Sequence, residues 1–242
     1  MASYTPTVSV DAPRTSTGGN GHLPPRRYDG DDFGPPSFDV RLRRARLGLV
    51  VGLTGIVMIF ISFSSAYVVR QGLPTLDPRT NALLHDWFPV PLPRLLLVNT
   101  VVLLISSVTM ELARRQAARR TLAQFSSVSG VTVCAKEEIS WLALTVVLGL
   151  SFLTGQWMAW RELAAGGFYV GSSPSSSFVY LLTGMHGVHL FGGVVALLAA
   201  GVASVLGRRA DSQSIAVDVT GWYWHFMAAL WIYILCLLEF VH

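Results

Sequence analysis

The sequence predicts an all-α membrane protein, a bundle of five transmembrane helices with its N-terminus in the cytoplasm and its C-terminus outside. Three observations carry that prediction. Only 13% of the 242 residues are charged and 52% are hydrophobic, with a mean hydropathy of +0.50, whereas a soluble domain carries about 25% charge. Five apolar segments each reach the roughly 20 residues that cross a bilayer as a helix. Arg and Lys, finally, are concentrated on alternate connections between those segments, as the positive-inside rule requires.

Residues 1–40 read as a largely irregular cytoplasmic tail. Pro6, Pro13, Pro24, Pro25, Pro35 and Pro36 stand among Ser, Thr, Gly and Asp with few apolar residues, too few to offset the entropy of ordering. The first twenty residues contain no apolar stretch of the kind a secretory signal needs, so the first span is expected to act as its own uncleaved insertion signal. The basic run 38–46 precedes that span and is expected to stay cytoplasmic, against anionic headgroups.

The membrane domain then occupies 41–242, with spans at about 47–69, 92–113, 139–161, 176–206 and 219–240. In the first, Gly52, Thr54, Gly55, Ser62, Ser64 and Ser65 form a helix-packing surface, and Tyr67 and Arg70 mark the outer end. The Pro-rich connection 71–93 reads as an ordered, irregular cap, with Trp87 and Phe88 as interfacial anchors. In the second span Asn99, Thr100, Ser106, Ser107 and Thr109 serve packing, while Glu111 is placed to pair with Arg115 at i+4. The loop 114–138 opens with a basic stretch suited to the membrane surface. In the third span Gln156 is expected to hydrogen-bond a neighbouring helix, and Trp157 and Trp160 to join an interfacial belt. A Gly-rich connector covers 162–175. The fourth span is long enough to tilt or project. In the fifth, Trp222, Tyr223, Trp224 and His225 suggest an aromatic collar at headgroup level, and Glu239 and His242 mark the outer end.

The topology follows from the cations. Arg14, Arg26, Arg27, Arg41, Arg43, Arg44 and Arg46 precede the first span, Arg114, Arg115, Arg119, Arg120 and Lys136 lie between the second and third, and Arg208 and Arg209 between the fourth and fifth. The opposite side holds Arg70, Arg79, Arg94 and Arg161. The net charge of +4 is therefore a topology signal, and no nucleic-acid partner is expected. Cys134 and Cys236 have neither a disulfide framework nor metal-ligand spacing.

The residues with most chemistry are His186 and His189, three apart in an apolar span flanked by Gly184, Gly187, Gly192 and Gly193. Hydrocarbon cannot satisfy imidazole nitrogens, so these rings must face protein, water or headgroups. They can act as neutral, hydrogen-bonded packing residues, or take part in a lipid-headgroup or proton path. Metal or haem ligation lacks a second His or Cys pair at comparable depth.

The block from Phe178 through Thr183-Gly184-Met185-His186-Gly187-Val188-His189 to Gly193, followed after about thirty residues by Gly221-Trp222-Tyr223-Trp224-His225-Phe226, closely resembles subunit III of the haem-copper oxidases, in its short five-helix bacterial form. Ser65-Ala66-Tyr67, Asn99-Thr100, Ser106-Ser107, Gly149 with Phe152, and Gly155-Gln156-Trp157 agree with it. The resemblance implies a bacterial inner-membrane protein with a lipid-holding cleft between helix groups and no catalytic or metal site of its own. It implies haem and copper in a partner catalytic subunit I, association with further oxidase subunits, and bound phospholipid, with a lipid-holding or structural role for His186, His189, Trp222, Trp224 and His225 and for Gln156, Trp157, Tyr67 and Arg70. Two positions depart from the family: Ile56 stands where many members carry a buried Glu, and Ala228 where many carry Asp. The expected function is an accessory role in respiratory oxygen reduction to water coupled to proton pumping. An accessory protein of a nitric oxide reductase in the same family is the nearest alternative. A small transporter would show internal duplication or broken helices, and neither is visible.

Overall fold

The computed structural model describes residues 37–76, 83–84, 87, 90–125, 135–205 and 210–240. The expected tail 1–36 and Phe88 lie outside them. Among the described residues five helices are long and apolar enough to cross a membrane: α1 Phe38–Gly72, α2 Leu95–Phe125, α3 Ala135–Ala165, α4 Pro174–Val205 and α5 Ala210–Phe240. Between α1 and α2 the chain makes one short antiparallel pair, β1 Thr75–Leu76 with β2 Leu83–Leu84, in register Thr75 to Leu84 and Leu76 to Leu83.

The helices run past the apolar limits visible in the sequence because polar residues with good helix propensity continue them. α1 begins at Phe38, inside the stretch expected to be irregular. Its first turn closes through Arg41 N donating to Ser37 O at 3.1 Å, with Asp39 at the positive end of the dipole and Arg70 at the negative end. α2 carries the basic stretch after Ala113 on as helix. α5 starts at Ala210, well before the apolar run, because 210–220 contains no Gly or Pro to stop it.

Helix ends follow local chemistry. At the end of α3, Phe168 N donates to Leu163 O at 3.0 Å and Gly167 N to Ala164 O at 3.1 Å. Gly167 has φ +87°, the left-handed conformation that this C-terminal motif needs and that glycine adopts without strain. α4 opens with Ser173 as N-cap, its Oγ accepting from Ser176 N at 3.2 Å, and with Pro174 at the first helical position, where no N–H is needed.

Helices α2 to α5 form the packed body. α2 lies against α3 and α5, α4 against α3 and α5, and α1 leans on α4 and α5 from outside. In the apolar window of α1 only 11% of residues are buried, against 44% in α3, so α1 offers most of its apolar surface to lipid or to another chain. The core is aromatic and aliphatic: Phe60 of α1, Phe152, Leu190, Trp224, Trp231 and Ile234 are all essentially solvent-free. Without a hydrophobic driving force between helices in lipid, such contacts hold the bundle by close packing. Glycines let it happen. A Cβ at Gly149 would lie 2.8 Å from Trp224 Cη2, and one at Gly193 would lie 3.0 Å from Tyr223 Cε1 and 3.2 Å from Trp224 Cζ3.

Candidate functional site

The two histidines of α4 point to different neighbours. His186 is fully buried in an aromatic enclosure, its ring centroid 5.1 Å from Trp231 of α5 and 5.9 Å from Phe152 of α3. Phe152 and Trp231 meet edge to face at 4.9 Å, a favourable quadrupolar arrangement. Neither ring nitrogen of His186 has a hydrogen-bond partner among the described residues. His189 faces α1, with its centroid 6.0 Å from Phe60. Its Nδ1 lies 2.7 Å from the Met185 carbonyl. A carbonyl only accepts, so Nδ1 carries the hydrogen and the tautomer is set. Tyr223 Oη donates to His189 O at 2.8 Å, tying α5 to this turn.

Around this centre polar side chains bond one helix to another and to the α3–α4 connection. Trp231 Nε1 donates to Thr100 Oγ1 at 2.9 Å, and Asn99 Nδ2 to Phe152 O at 3.4 Å. Asn99 fits only because Gly155 has no side chain; a Cβ there would stand 2.8 Å from Asn99 Cγ. Trp160 Nε1 donates to Thr183 Oγ1 at 3.0 Å, and Tyr180 Oη donates to the Trp160 and Phe168 carbonyls, each at 3.0 Å. Two turns nearer the start of α5, Trp224 Nε1 donates to Ser106 Oγ at 3.1 Å, and the Thr109 and Thr145 hydroxyls are 2.8 Å apart.

Two expectations need correction. Trp224 is not part of an interfacial collar: it is completely buried, because Gly149 and Gly193 leave a slot for its indole. Trp222 alone of that group projects outward, half-exposed, with the Arg114 guanidinium over its ring at 5.6 Å. Trp87 is not an exposed anchor but is buried against Tyr67, at 5.0 Å edge to face, and Phe178. Gln156 is buried, yet its Oε1 has no partner among the described residues. Trp157 is mostly exposed. Tyr67 is buried beside Phe178, and Arg70 Nη1 donates to Leu73 O at 3.1 Å, closing the end of α1. Ile56 packs partly buried against the core, and Ala228 is buried.

At the end of the bundle where α1 and α5 begin, the residues bring together a network that sequence reasoning saw only in part. Glu111 accepts from Arg115 Nε at 2.8 Å, the expected i+4 pair. It also accepts from Arg114 through Nε at 2.8 Å and Nη2 at 3.1 Å, a bidentate bond. Arg114 reaches on to Asp218 of α5 at 3.2 Å, and Asp218 accepts from Arg46 of α1 at 2.9 Å. His225 completes it, with Nε2 3.5 Å from Glu111 Oε2 and Nδ1 hydrogen-bonded to the Ser107 hydroxyl. Asp218 was missed although a signal existed: Asp218, Trp222 and His225 are spaced i, i+4, i+7, one face of α5, and all three meet α2.

Five membrane-length helices held together by buried aromatic and polar contacts define a polytopic membrane protein. The family model for cytochrome c oxidase subunit III matches residues 37–241, and the chain belongs to that family. It is 28% identical over 197 residues to the probable cytochrome c oxidase subunit 3 of Mycobacterium leprae (strain TN), covering 81% of this chain and 87% of the relative. It is 25% identical over 202 residues to the Nocardia farcinica (strain IFM 10152) protein described in the same words, again covering 81% and 87%. Against the cytochrome c oxidase subunit 3 of Danio rerio it is 30% identical over 194 residues, 78% of this chain and 66% of the relative. The chain is thus a multi-pass accessory subunit of a haem-copper oxidase and associates with other subunits of that complex.

Proposed function

We propose that this chain packs on the catalytic subunit I of a bacterial inner-membrane terminal oxidase, with its N-terminus cytoplasmic and its C-terminus outside. There it stabilises that subunit, holds phospholipid, and sustains oxygen reduction coupled to proton pumping without a redox centre of its own. Haem and copper belong to the partner. The names of its relatives favour cytochrome c over quinol as the electron donor to the assembly. One observation carries this reading: the residues of the two matching blocks are those that lock α4 and α5 together, through His186 on Trp231, Tyr223 on His189 and Trp224 between two glycines. Such residues build a rigid wall rather than a reaction centre. The exposed apolar side of α1 supports contact with lipid and a neighbouring subunit, and the distribution of arginines supports the orientation.

The test is turnover in the assembled complex. His189→Ala removes the Nδ1–H bond to Met185 O and the contact with Phe60. The initial rate of oxygen reduction is expected to stay near wild type while activity decays faster over many turnovers. Immediate total loss in a fully assembled complex would contradict the accessory role. Ile56→Glu, which restores the family's usual carboxylate, is expected not to be needed: a sharp gain in sustained turnover would mean that the apolar site at Ile56 is functionally incomplete.

A further inference from the structure

At the end of the bundle where α1 and α5 finish, a cavity of about 370 Å³ opens between these two helices, α4 and the connection that follows α1, a volume within the usual range of ligand sites. Its walls are mostly apolar, with Tyr67 of α1, Leu92 of the connection, Val179 of α4 and Leu238 of α5. One charge stands among them, that of Glu239. Glu239 is exposed in the last turn of α5, and that turn holds no basic residue. Aligned peptide dipoles make this end of a helix negative, so the carboxylate stands where its own helix disfavours an anion. No hydrogen bond or ion pair answers it among the described residues. A cation with N–H donors would meet both the carboxylate and the helix end.

A second group in the same walls is also unanswered. Trp87 is buried and lines the cavity, yet its Nε1–H has no acceptor among the described residues, although a buried indole usually finds one. An occupant that satisfies this cavity therefore brings a cation, an acceptor and hydrocarbon together. A bare divalent cation fits poorly, since it needs about six oxygen ligands and the walls are largely carbon. A lipid with an amine headgroup brings the polar groups, but its acyl chains need open apolar surface, and Tyr67, Val179 and Leu238 are buried. A Lys or Arg side chain lays its methylene stem along apolar surface and carries its charge at the tip. The backbone of the same segment supplies a carbonyl.

We propose that this cavity receives a Lys or Arg side chain from an extramembrane segment of a neighbouring oxidase subunit. Its charged head meets the Glu239 carboxylate, its stem lies against Leu92 and Leu238, and a backbone carbonyl of the segment accepts from Trp87 Nε1. The site names the chemistry of one intersubunit contact, and it rests on the reading of this chain as a subunit packed into an oxidase. Seated there, the segment ties α1, the least buried helix, to α4 and α5.

The experiment uses the whole purified oxidase complex carrying Phe240→p-benzoylphenylalanine, at an exposed position next to the carboxylate. After irradiation the cross-linked peptides are sequenced by mass spectrometry. A link to a segment of another subunit that contains Lys or Arg is expected. Glu239→Gln in the same background should lower its yield about tenfold, since a charge-assisted pair is removed. Glu239→Lys should abolish the link, and exchanging the basic residue of the linked segment for Glu should restore it. Links confined to phospholipid or to this chain, no link at all, a yield unchanged by Glu239→Gln, or no restoration by the charge exchange overturns the proposal. Where the charge-reversed complex does not assemble, Glu239→Gln, which keeps the size of the side chain, decides. Haem absorbance of the same sample reports the subunit reading separately. A chain isolated without a haem-bearing partner fails that reading, whereas a haem-bearing complex whose yield ignores Glu239 fails this site alone.

Discussion

Substituting Gly149 by alanine tests whether the close approach of α3 to α5 is as tight as the side chains require. The new Cβ would lie 2.8 Å from Trp224 Cη2, 3.1 Å from Cζ2 and 3.3 Å from Val194 Cγ2. The indole cannot retreat freely, because it is fully buried, is pinned by Nε1 to Ser106 Oγ at 3.1 Å, and borders Gly193 on its other side. Overpacking of this kind costs about 1–3 kcal/mol, and a broken hydrogen bond to Ser106 adds about 1 kcal/mol. At roughly 2–4 °C per kcal/mol for a chain of this size, the thermal midpoint of this subunit in its detergent-solubilised complex should fall by about 4–16 °C. Gly52→Ala and Gly187→Ala are the controls: nothing lies within 4 Å of a Cβ at either position, so each should stay within about 0.5 kcal/mol of wild type. Trp224→Phe in the Gly149→Ala background removes the ring atoms that collide. The double variant should therefore lose less than the sum of the singles, with a coupling of about 1–2 kcal/mol. Equal stability of Gly149→Ala and Gly52→Ala would refute the packing argument, as would strict additivity with Trp224→Phe.

Other perturbations separate the remaining interactions. His186→Phe fills a similar volume between Phe152 and Trp231 and removes two ring nitrogens without partners among the described residues. Stability should be unchanged or raised, and loss of the subunit from the complex would mean that those nitrogens are used. Thr100→Val and Trp231→Phe each delete the 2.9 Å bond between α2 and α5. Because they share it, the bond's contribution of about 1 kcal/mol should be lost once rather than twice in the double variant, as a thermal double-mutant cycle will reveal. Arg114→Gln leaves Glu111 and Asp218 partly buried without their shared partner and should cost about 2 kcal/mol. Arg115→Gln, at a mostly exposed pair, should cost less than about 1 kcal/mol and lose its effect in high salt.

Much of this was legible in the residues because membrane physics leaves few choices. Apolar length and the absence of charge define the five spans, since backbone groups in hydrocarbon must be satisfied within the helix. The small-residue face around Asn99, Ser106 and Thr109 does pack α2 on α3. What the sequence concealed are partners set by tertiary contact. Trp222 and Trp224 are two residues apart and chemically alike, yet one stands outside against Arg114 and the other fills the core. Only the opposing glycines, on two other helices, tell them apart. Trp87 likewise reads as an interfacial anchor until Tyr67 and Phe178 are found around it. Asp218 lay beyond the apolar limit of its span, so its role as the junction of Arg46 and Arg114 emerged only once α5 was seen to start at Ala210. His186 and His189, one motif in the sequence, divide because three residues turn a helix by about 300°, leaving one ring towards α3 and α5 and the other towards α1.

The central claim, that this chain is a redox-inactive accessory subunit of a haem-copper oxidase, is tested most directly by isolating the tagged chain in mild detergent, identifying its companions and recording the optical spectrum before and after separating them. A haem- and copper-bearing catalytic subunit should copurify with oxygen-reducing activity, and the separated chain should carry no haem absorbance. Stoichiometric haem remaining on the chain itself, or copurification with a nitric oxide reductase in place of an oxidase, would contradict it.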